Sequence, residues 1–376
     1  MRRLTVVQLL PALESGGVER STLEIAQALV DAGHRALVVS AGGRLVARLE
    51  ALGAEHVALD IGRKSLMTLR HVRTLRALLS RERVDLVHAR SRLPAWIGRL
   101  AMRGMPSHAR PRWVTTVHGL NSPSRYSAVM ASGERVICVS DTVRAYVLRH
   151  YPATPPDRLR VIERGIETAE FPRAPAVDRD ARDWAASLHP ALGGDGPLLL
   201  LPGRGTRLKG HADALALLAA LRADGLDARL WLPGARESSR TAYIDELEAD
   251  AATRGLADAL AFTAPIDAIA RAYAASDLVL QLSRKPEAFG RTVIEALSVG
   301  RPVVGWAHGG VADVLGALQP SGAVTAFDAQ ALHRTARALL AAPPRPPATI
   351  PHTLRAMQDA TLAVYAELID RSPRHV

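Results

Sequence analysis

The chain has 376 residues, 48% apolar and 23% charged, a balance that fits a packed protein of two or three domains and excludes a disordered or collagen-like chain. Its one cysteine, Cys138, excludes an internal disulfide and a cysteine-based zinc site, so a reducing compartment fits best. The net charge of +11 is lopsided, with 26 Lys and Arg against 13 Asp and Glu in residues 1–165 and 22 against 24 in the rest; the excess points to an anionic partner of the first half, whether nucleic acid, phospholipid surface or acidic substrate.

In chain order, Met1-Arg2-Arg3 and the apolar run 4–13 have the outline of a signal peptide. Gln8 and Pro11 interrupt the run and no small-x-small cleavage site follows, so a first buried strand is the better reading. Short Val/Leu/Ile runs then alternate with helical patterns, the sequence form of a parallel α/β sheet. Strands are expected at 4–10, 36–40, 57–59, 86–89, 113–118, 136–140 and 159–162, and helices at 18–32, 45–52, 65–81, 93–102 and 142–150. Residues 168–197 lose periodicity and carry Pro172, Pro175, Pro190 and Pro197, which reads as a connection with at most one short helix.

The alternation restarts with strands at 198–201, 229–232, 260–263, 278–282 and 302–306, and helices at 211–224, 241–254, 266–275 and 291–298. Five prolines in 342–351 forbid a continuous helix there, and 352–369 reads as a terminal helix. The expected organisation is a first Rossmann-like domain over 1–166, a connection over 167–196 and a second such domain over 197–350. A terminal helix in 351–376 could be carried back to the first domain by the proline run, although the sequence alone does not show where it docks. The fold class is α/β, two doubly wound domains facing across a cleft. No stretch approaches the ~20 apolar residues that cross a bilayer, so a soluble or peripheral protein is expected.

Ligands of open α/β sheets bind beyond the carboxyl ends of strands, and five segments fall there. Gly16-Gly17 would let backbone approach a ligand at the start of a helix, where free N–H groups attract phosphate or sugar oxygens. The G-x-G-x-x-G spacing of dinucleotide binding is absent. His118 ends a strand, with a reference pKa suited to positioning a hydroxyl. Gly203-Arg204-Gly205-Thr206-Arg207-Leu208-Lys209-Gly210 gathers three cations in one strand-to-helix loop, a nest for a diphosphate. Lys209 is also one of only three lysines, with Lys64 and Lys285, among 48 cationic residues; against an arginine-rich coding bias, a retained lysine hints at a need for a compact ammonium.

The sharpest signal is Glu287-Ala288-Phe289-Gly290-Arg291-Thr292-Val293-Ile294-Glu295. Phe289 and the turn at Gly290 lead into a helix whose first N–H groups, at Gly290, Arg291 and Thr292, offer an anion site. Glu287 and Glu295 beside it would accept hydrogen bonds from sugar or ribose hydroxyls. Finally, His88, Arg90 and Arg92 follow a strand, where the two arginines could grip an acidic acceptor.

Together these segments resemble the retaining GT-B glycosyltransferases of glycosyltransferase family 4, over essentially the whole chain. The resemblance rests on the Gly-Gly turn, His118, the G-R-x4-K-G loop, the E-x7-E element and the run from Arg301 to Asp313 that follows it. It implies a nucleotide-sugar donor on the C-terminal domain and a glycan or lipid-linked acceptor on the N-terminal one. Arg204 and Lys209 would neutralise the diphosphate, Glu295 would bind the ribose and Glu287 the donor sugar. Gly17 would approach the diphosphate or sugar, and His118 the donor sugar. No metal or other cofactor is implied, and Asp178-Arg179-Asp180, although of Asp-x-Asp form, receives no role. The resemblance further suggests a bacterial enzyme of cell-surface polysaccharide or lipopolysaccharide synthesis, cytoplasmic or peripheral on the inner membrane face.

Residues 65–81 fit a basic amphipathic helix, with Leu66, Leu69, Val72, Leu75 and Leu79 on one side and Arg70, Arg73 and Arg76 on another. It is either a solvated outer helix or a contact for anionic lipid. Two other readings stand beside glycosyl transfer: a nucleotide-sugar epimerase of the same architecture, and a nucleic-acid binder prompted by a pI of 10.6. Few aromatics and no recognisable nucleic-acid motif disfavour the latter.

Overall fold

The computed structural model describes residues 2–14, 16–174, 176–236 and 242–370. The chain forms two compact units, Met1–Arg164 with Leu354–Val376, and Gly165–Thr353.

The first unit carries β1 (Thr5–Leu9), α1 (Gly17–Asp31), β2 (Arg35–Ser40), α2 (Val46–Ala51), β3 (Glu55–Ala58), α3 (His71–Arg81), β4 (Leu86–Ala89), α4 (Arg92–Arg103), β5 (Arg112–Val117), β6 (Arg135–Cys138), α5 (Asp141–His150) and β7 (Leu159–Val161). Its sheet is wholly parallel, in the order β3-β2-β1-β4-β5-β6-β7. Each of its strands overlaps a run expected from the sequence. Because helices cover both faces, strand positions such as Val6, Val38, Leu86 and Val114 are buried whichever way they point.

The second unit carries α6 (Arg179–Leu188), β8 (Leu198–Leu200), α7 (His211–Ala223), β9 (Arg229–Pro233), α8 (Ala242–Thr253), β10 (Leu260–Thr263), α9 (Ile269–Ala275), β11 (Leu278–Gln281), α10 (Arg291–Val299), β12 (Val303–Trp306), α11 (Gly310–Leu318), β13 (Ala323–Val324) and α12 (Ala329–Ala341). Its strand order is β10-β9-β8-β11-β12-β13, again parallel. The expected start of α8 at Thr241 lies outside the described residues.

Three elements of this unit, α11, β13 and α12, were absent from the sequence reading. Residues 167–196, expected as a connection, belong to the second unit. There α6 lays Trp184 edge-on against Trp231 at 5.6 Å between ring centroids, and Arg182 pairs with Asp277 at 2.5 Å. Asp178 accepts from the backbone N–H of Ala181 as the N-cap of α6, which accounts for the first carboxylate of the Asp-x-Asp run.

The terminal helix α13 (Leu354–Asp370) belongs to the first unit. It buries Met357, Val364, Tyr365 and Leu368 in the core formed with Leu4, Leu29 and Ile137. Arg135 clamps it through Glu367 at 2.5 Å.

Both sheets reverse direction once, between β1 and β4 and between β8 and β11. A doubly wound sheet opens its binding crevice at this switch point, beyond the carboxyl ends of the two central strands. The loops after β1, β4, β8 and β11 are therefore where each unit can hold a ligand.

Candidate functional site

In the second unit the loops flanking the switch point interlock. Gly210 has φ of 80°, and a Cβ there would lie 2.0 Å from the carbonyl oxygen of Leu282, so only glycine brings the β8 loop against the β11 loop. Arg284 donates its backbone N–H to the carbonyl of Leu208 at 2.8 Å. The result is a direct pair, Lys209 Nζ to Glu287 Oε1 at 2.7 Å, both side chains partly exposed.

Glu287 is held on all sides. Ser283 Oγ donates to Oε1 at 2.5 Å and Gln281 Nε2 to Oε2 at 3.0 Å. Its backbone forms a bridge with Gly309, where φ is 62° and a Cβ would meet the Glu287 carbonyl at 2.5 Å. His308 Nε2 lies 2.7 Å from the Ser283 carbonyl oxygen. Three donors on one carboxylate fix its orientation and leave one of about four acceptor positions open. The Lys209 ammonium keeps two donors beyond the one given to Glu287.

Arg204, in the same loop as Lys209, is exposed, and its side chain has no hydrogen bond or ion pair among the described residues. Arg207 does not join the nest that the sequence suggests. It pairs with Glu246 and stacks over Tyr243 at 4.7 Å. Below the loop, burial holds the His211 imidazole down at about 4.

Across the E-x7-E element the structure separates backbone from side-chain roles. Phe289 is buried against the ring of His352 at 5.6 Å. The guanidinium of Arg291 donates to the carbonyl of Gly165 at 2.6 Å. These two side chains therefore build the loop, and the contribution that Phe289 and Arg291 can make to a donor is their N–H groups at the start of α10. Gly290 is buried and Thr292 half-buried at that helix start. Glu295 is 7% exposed, accepts from Tyr273 Oη at 2.9 Å and lies 3.8 Å from Arg291.

In the first unit a cavity of about 350 Å³ opens at the switch point, lined in part by Lys64, Arg90, Arg92 and His118. Gly16 precedes α1 and Gly17 begins it, with open space where a Gly17 Cβ would stand. His118 Nδ1 receives Arg164 Nη2 at 3.5 Å, so a neutral imidazole carries its proton on Nε2. That Nε2 has no partner among the described residues. Burial, followed by the charges of Arg164, Arg90 and His88, holds His118 well below the usual histidine range. It is thus a neutral N–H donor, not a base.

Two of the three residues expected to grip an acceptor prove to be core. His88 is 1% exposed, with Tyr365 Oη and Thr116 Oγ1 each 2.6 Å from a ring nitrogen. Arg90 is 2% exposed and donates Nε to Gln8 Oε1 at 2.6 Å and Nη1 to Ser21 Oγ at 3.2 Å. Its bidentate fork is spent on the protein, which corrects the expected two-armed grip. Only Nη2 of Arg90 remains without a partner. Arg92 is half-buried on the cavity wall.

The basic helix also differs from its expected form. Residues 66–70 form a 3-10 turn, capped by Ser65, and α3 begins only at His71. Leu75, Leu78 and Leu79 are buried, but Leu66, Met67 and Leu69 are 86%, 64% and 51% exposed. Arg76 is turned inward, donating Nε to the carbonyl of Ala101 at 3.0 Å. The apolar periodicity thus runs through a break that it does not reveal.

Two doubly wound units with charged loops at their switch points define a protein of the GT-B architecture. The model for Glycosyltransferase Family 4 matches residues 15–170 and that for Glycosyl transferases group 1 matches residues 189–352. The chain belongs to this family of glycosyltransferases. It is similar to a D-inositol 3-phosphate glycosyltransferase of Acidothermus cellulolyticus, 30% identical over 60% of this chain and 53% of that one. The chain spans about half the length of the curated relatives it matches. Among solved structures, a glycosyltransferase from Rickettsia africae superposes with a TM-score of 0.85 at 25% identity, over 99% of this chain and 100% of that one. An Anabaena protein crystallised with UDP gives a TM-score of 0.76 at 20% identity, over 97% and 95% of the two chains.

Proposed function

We propose that the chain transfers a sugar from a nucleoside-diphosphate sugar, held by the second unit, to a glycan or lipid-linked acceptor held by the first. The observation that carries this reading is the Lys209–Glu287 pair, fixed by Ser283 and Gln281, with the exposed Arg204 in the same loop as Lys209. As the glycosidic bond breaks, negative charge grows on the leaving diphosphate, and cations already in place stabilise that charge. Arg204 and Lys209 supply them, so the reading needs no metal ion. Glu287 accepts from a hydroxyl of the donor sugar, Glu295 from the ribose, and the first N–H groups of α10 bind phosphate oxygens. Gly16, Gly17 and His118 are assigned to the donor by the family resemblance, His118 as a hydrogen-bond donor.

Transfer proceeds with retention. The acceptor oxygen bonds to the anomeric carbon on the face the diphosphate leaves, and the acceptor proton passes to the departing phosphate oxygen. The relative from Acidothermus, named for an inositol phosphate, and the Anabaena neighbour with UDP support a nucleotide donor and a polyol-type acceptor. Synthesis of a cell-surface polysaccharide or lipopolysaccharide on the cytoplasmic membrane face is the setting proposed. No helix among the described residues is long and apolar enough to cross a membrane. A peripheral contact with anionic lipid would use the exposed Leu66, Met67 and Leu69, flanked in the chain by the exposed Arg63, Arg70 and Arg73, in place of the arginine face of the whole helix.

A thermal-shift screen of UDP-, GDP- and ADP-sugars tests the donor assignment, with Lys209→Ala and Glu295→Ala as controls. One sugar nucleotide should raise Tm in the wild type and neither variant should respond. Equal shifts in both variants would remove the assigned site. Release of free nucleoside diphosphate on turnover separates transfer from epimerisation, in which the nucleotide stays attached.

A further inference from the structure

Ser283 is 4% exposed and gives its hydroxyl to Glu287 Oε1 at 2.5 Å. A hydroxyl is aimed only as firmly as the backbone that carries it. The peptide unit between Ser283 and Arg284 is held at both polar ends. Its carbonyl lies 2.7 Å from Nε2 of His308, in the loop after β12. Its N–H donates to the carbonyl of Leu208 at 2.8 Å, in the loop after β8. A carbonyl only accepts, so His308 carries a proton on Nε2 and donates it. The two pins come from different loops, and the second adjoins Lys209.

His308 is itself braced. Its ring stands nearly perpendicular to that of Phe327, at 86° and 5.6 Å between centroids. Phe327 lies between β13 and α12 with φ of 70°, the left-handed region in which a bulky side chain is an outlier. Although 49% exposed, its ring also meets Trp306 at 5.9 Å and carries the Arg284 guanidinium over its face at 5.0 Å. Arg284 Nη1 in turn bonds both carboxylate oxygens of Asp213, at 2.6 and 2.8 Å. A strained backbone persists only where its surroundings over-determine it. Here those surroundings include His308 and Arg284, the residues that pin and follow Ser283.

We propose that His308 is a positioning residue for the donor sugar. It fixes the Ser283–Arg284 peptide, keeps Ser283 Oγ on Glu287, and so holds the open acceptor position of that carboxylate toward a sugar hydroxyl; Phe327 braces the imidazole. The role rests on the reading that Glu287 accepts from the donor sugar. It is transmitted through Ser283 alone and leaves Lys209 and the first N–H groups of α10 free to hold the diphosphate. Loss of His308 should therefore register on the sugar and not on the nucleotide. A conserved shape of the chain does not suffice for this role; an N–H donor at position 308 does.

Calorimetric titration of the full chain tests it, with UDP and UDP-glucose as probes, or the GDP or ADP pair if the thermal-shift screen selects it. In His308→Ala the affinity for the sugar nucleotide should fall about fivefold or more, while that for the nucleoside diphosphate stays within about twofold of the wild type. His308→Gln, whose side-chain N–H still donates to a carbonyl, should return the sugar nucleotide to within about twofold. Phe327→Asn suits the left-handed turn but removes the ring, and should cost about threefold on the sugar nucleotide alone. Parallel losses for both ligands would make the contact merely structural and overturn the proposal. So would wild-type affinities in His308→Ala, or a His308→Gln no better than His308→Ala. Glu287→Gln separates the two readings. If it binds the sugar nucleotide as the wild type does, the sugar assignment of Glu287 falls and the proposal with it. If it loses the sugar nucleotide while His308→Ala does not, only the positioning role falls. If the wild type binds no sugar nucleotide, the donor reading itself fails, and this role with it.

Discussion

At the switch point of the second unit Lys209 meets Glu287 at 2.7 Å; at that of the first, Lys64, Arg90 and Arg92 line a cavity without a carboxylate. The same topology therefore carries two kinds of positive charge. One is pre-paired, so its cation and carboxylate are oriented together for a ligand that offers both phosphate and hydroxyl groups. The other has no carboxylate in its lining, although the charge of Glu24 reaches Arg90, and favours an anionic ligand. Three of the cations that make the first half basic line that cavity.

The largest expected effect breaks the paired site. Lys209→Ala removes one fixed cation from the leaving group and strips Glu287 of its partner, so kcat in a donor-release assay should fall by about 10²–10³-fold. A comparable fall in the stability of the chain, with kcat preserved, would make the pair structural.

Next in size is the polar interior of the first unit. Tyr365→Phe removes the hydroxyl that bonds His88 Nδ1, and urea unfolding should show a loss of about 1–3 kcal/mol, with donor binding by the second unit unchanged. The pH dependence follows from the same interior. Burial, then the charges of Arg90 and Arg164, holds His88 well below the usual histidine range, and His118 behaves alike. Their folded pKa values are depressed, so below about 6.5 the unfolded chain takes up protons that the folded chain refuses. Stability should fall as pH drops from 7 to 5, by at most about 1.4 kcal/mol per pH unit for each histidine, and His88→Asn should flatten the slope.

The smallest effect on folding comes from the exposed turn. Leu66→Ser, Met67→Ser and Leu69→Ser should each change stability by no more than about 0.5 kcal/mol. Together they should abolish sedimentation with anionic vesicles. Retained sedimentation would move the membrane contact elsewhere.

Much of this was legible in the sequence for a physical reason. Strands buried on both faces must be apolar throughout, so their runs announce themselves, and glycines 203, 210 and 290 mark the strand-to-helix turns where a site can lie. Partner choice was not legible. Arg90 and Arg92 are two residues apart and both line the cavity, yet Arg90 is buried on Gln8 and Ser21 while Arg92 is half-buried and turns to Ser127. Arg207, beside Lys209, turns to Glu246. Loop charges are directed by contacts with segments distant in the chain, which spacing does not encode. The sequence signal for Lys64 was its rarity as a lysine; the structure places it in the cavity lining. Helix α12 could have been found from Asp328, whose carboxylate accepts from the backbone N–H of Ala331 as a helix cap.

The most direct measurement is a UDP titration of the wild type, Lys209→Ala and Lys64→Gln under one set of conditions, with UDP replaced by the nucleotide of whichever sugar donor the screen selects. If the two switch points divide donor from acceptor, Lys209→Ala loses at least about tenfold in affinity and Lys64→Gln binds as the wild type. Equal affinity in the wild type and Lys209→Ala, or a loss confined to Lys64→Gln, would contradict the division.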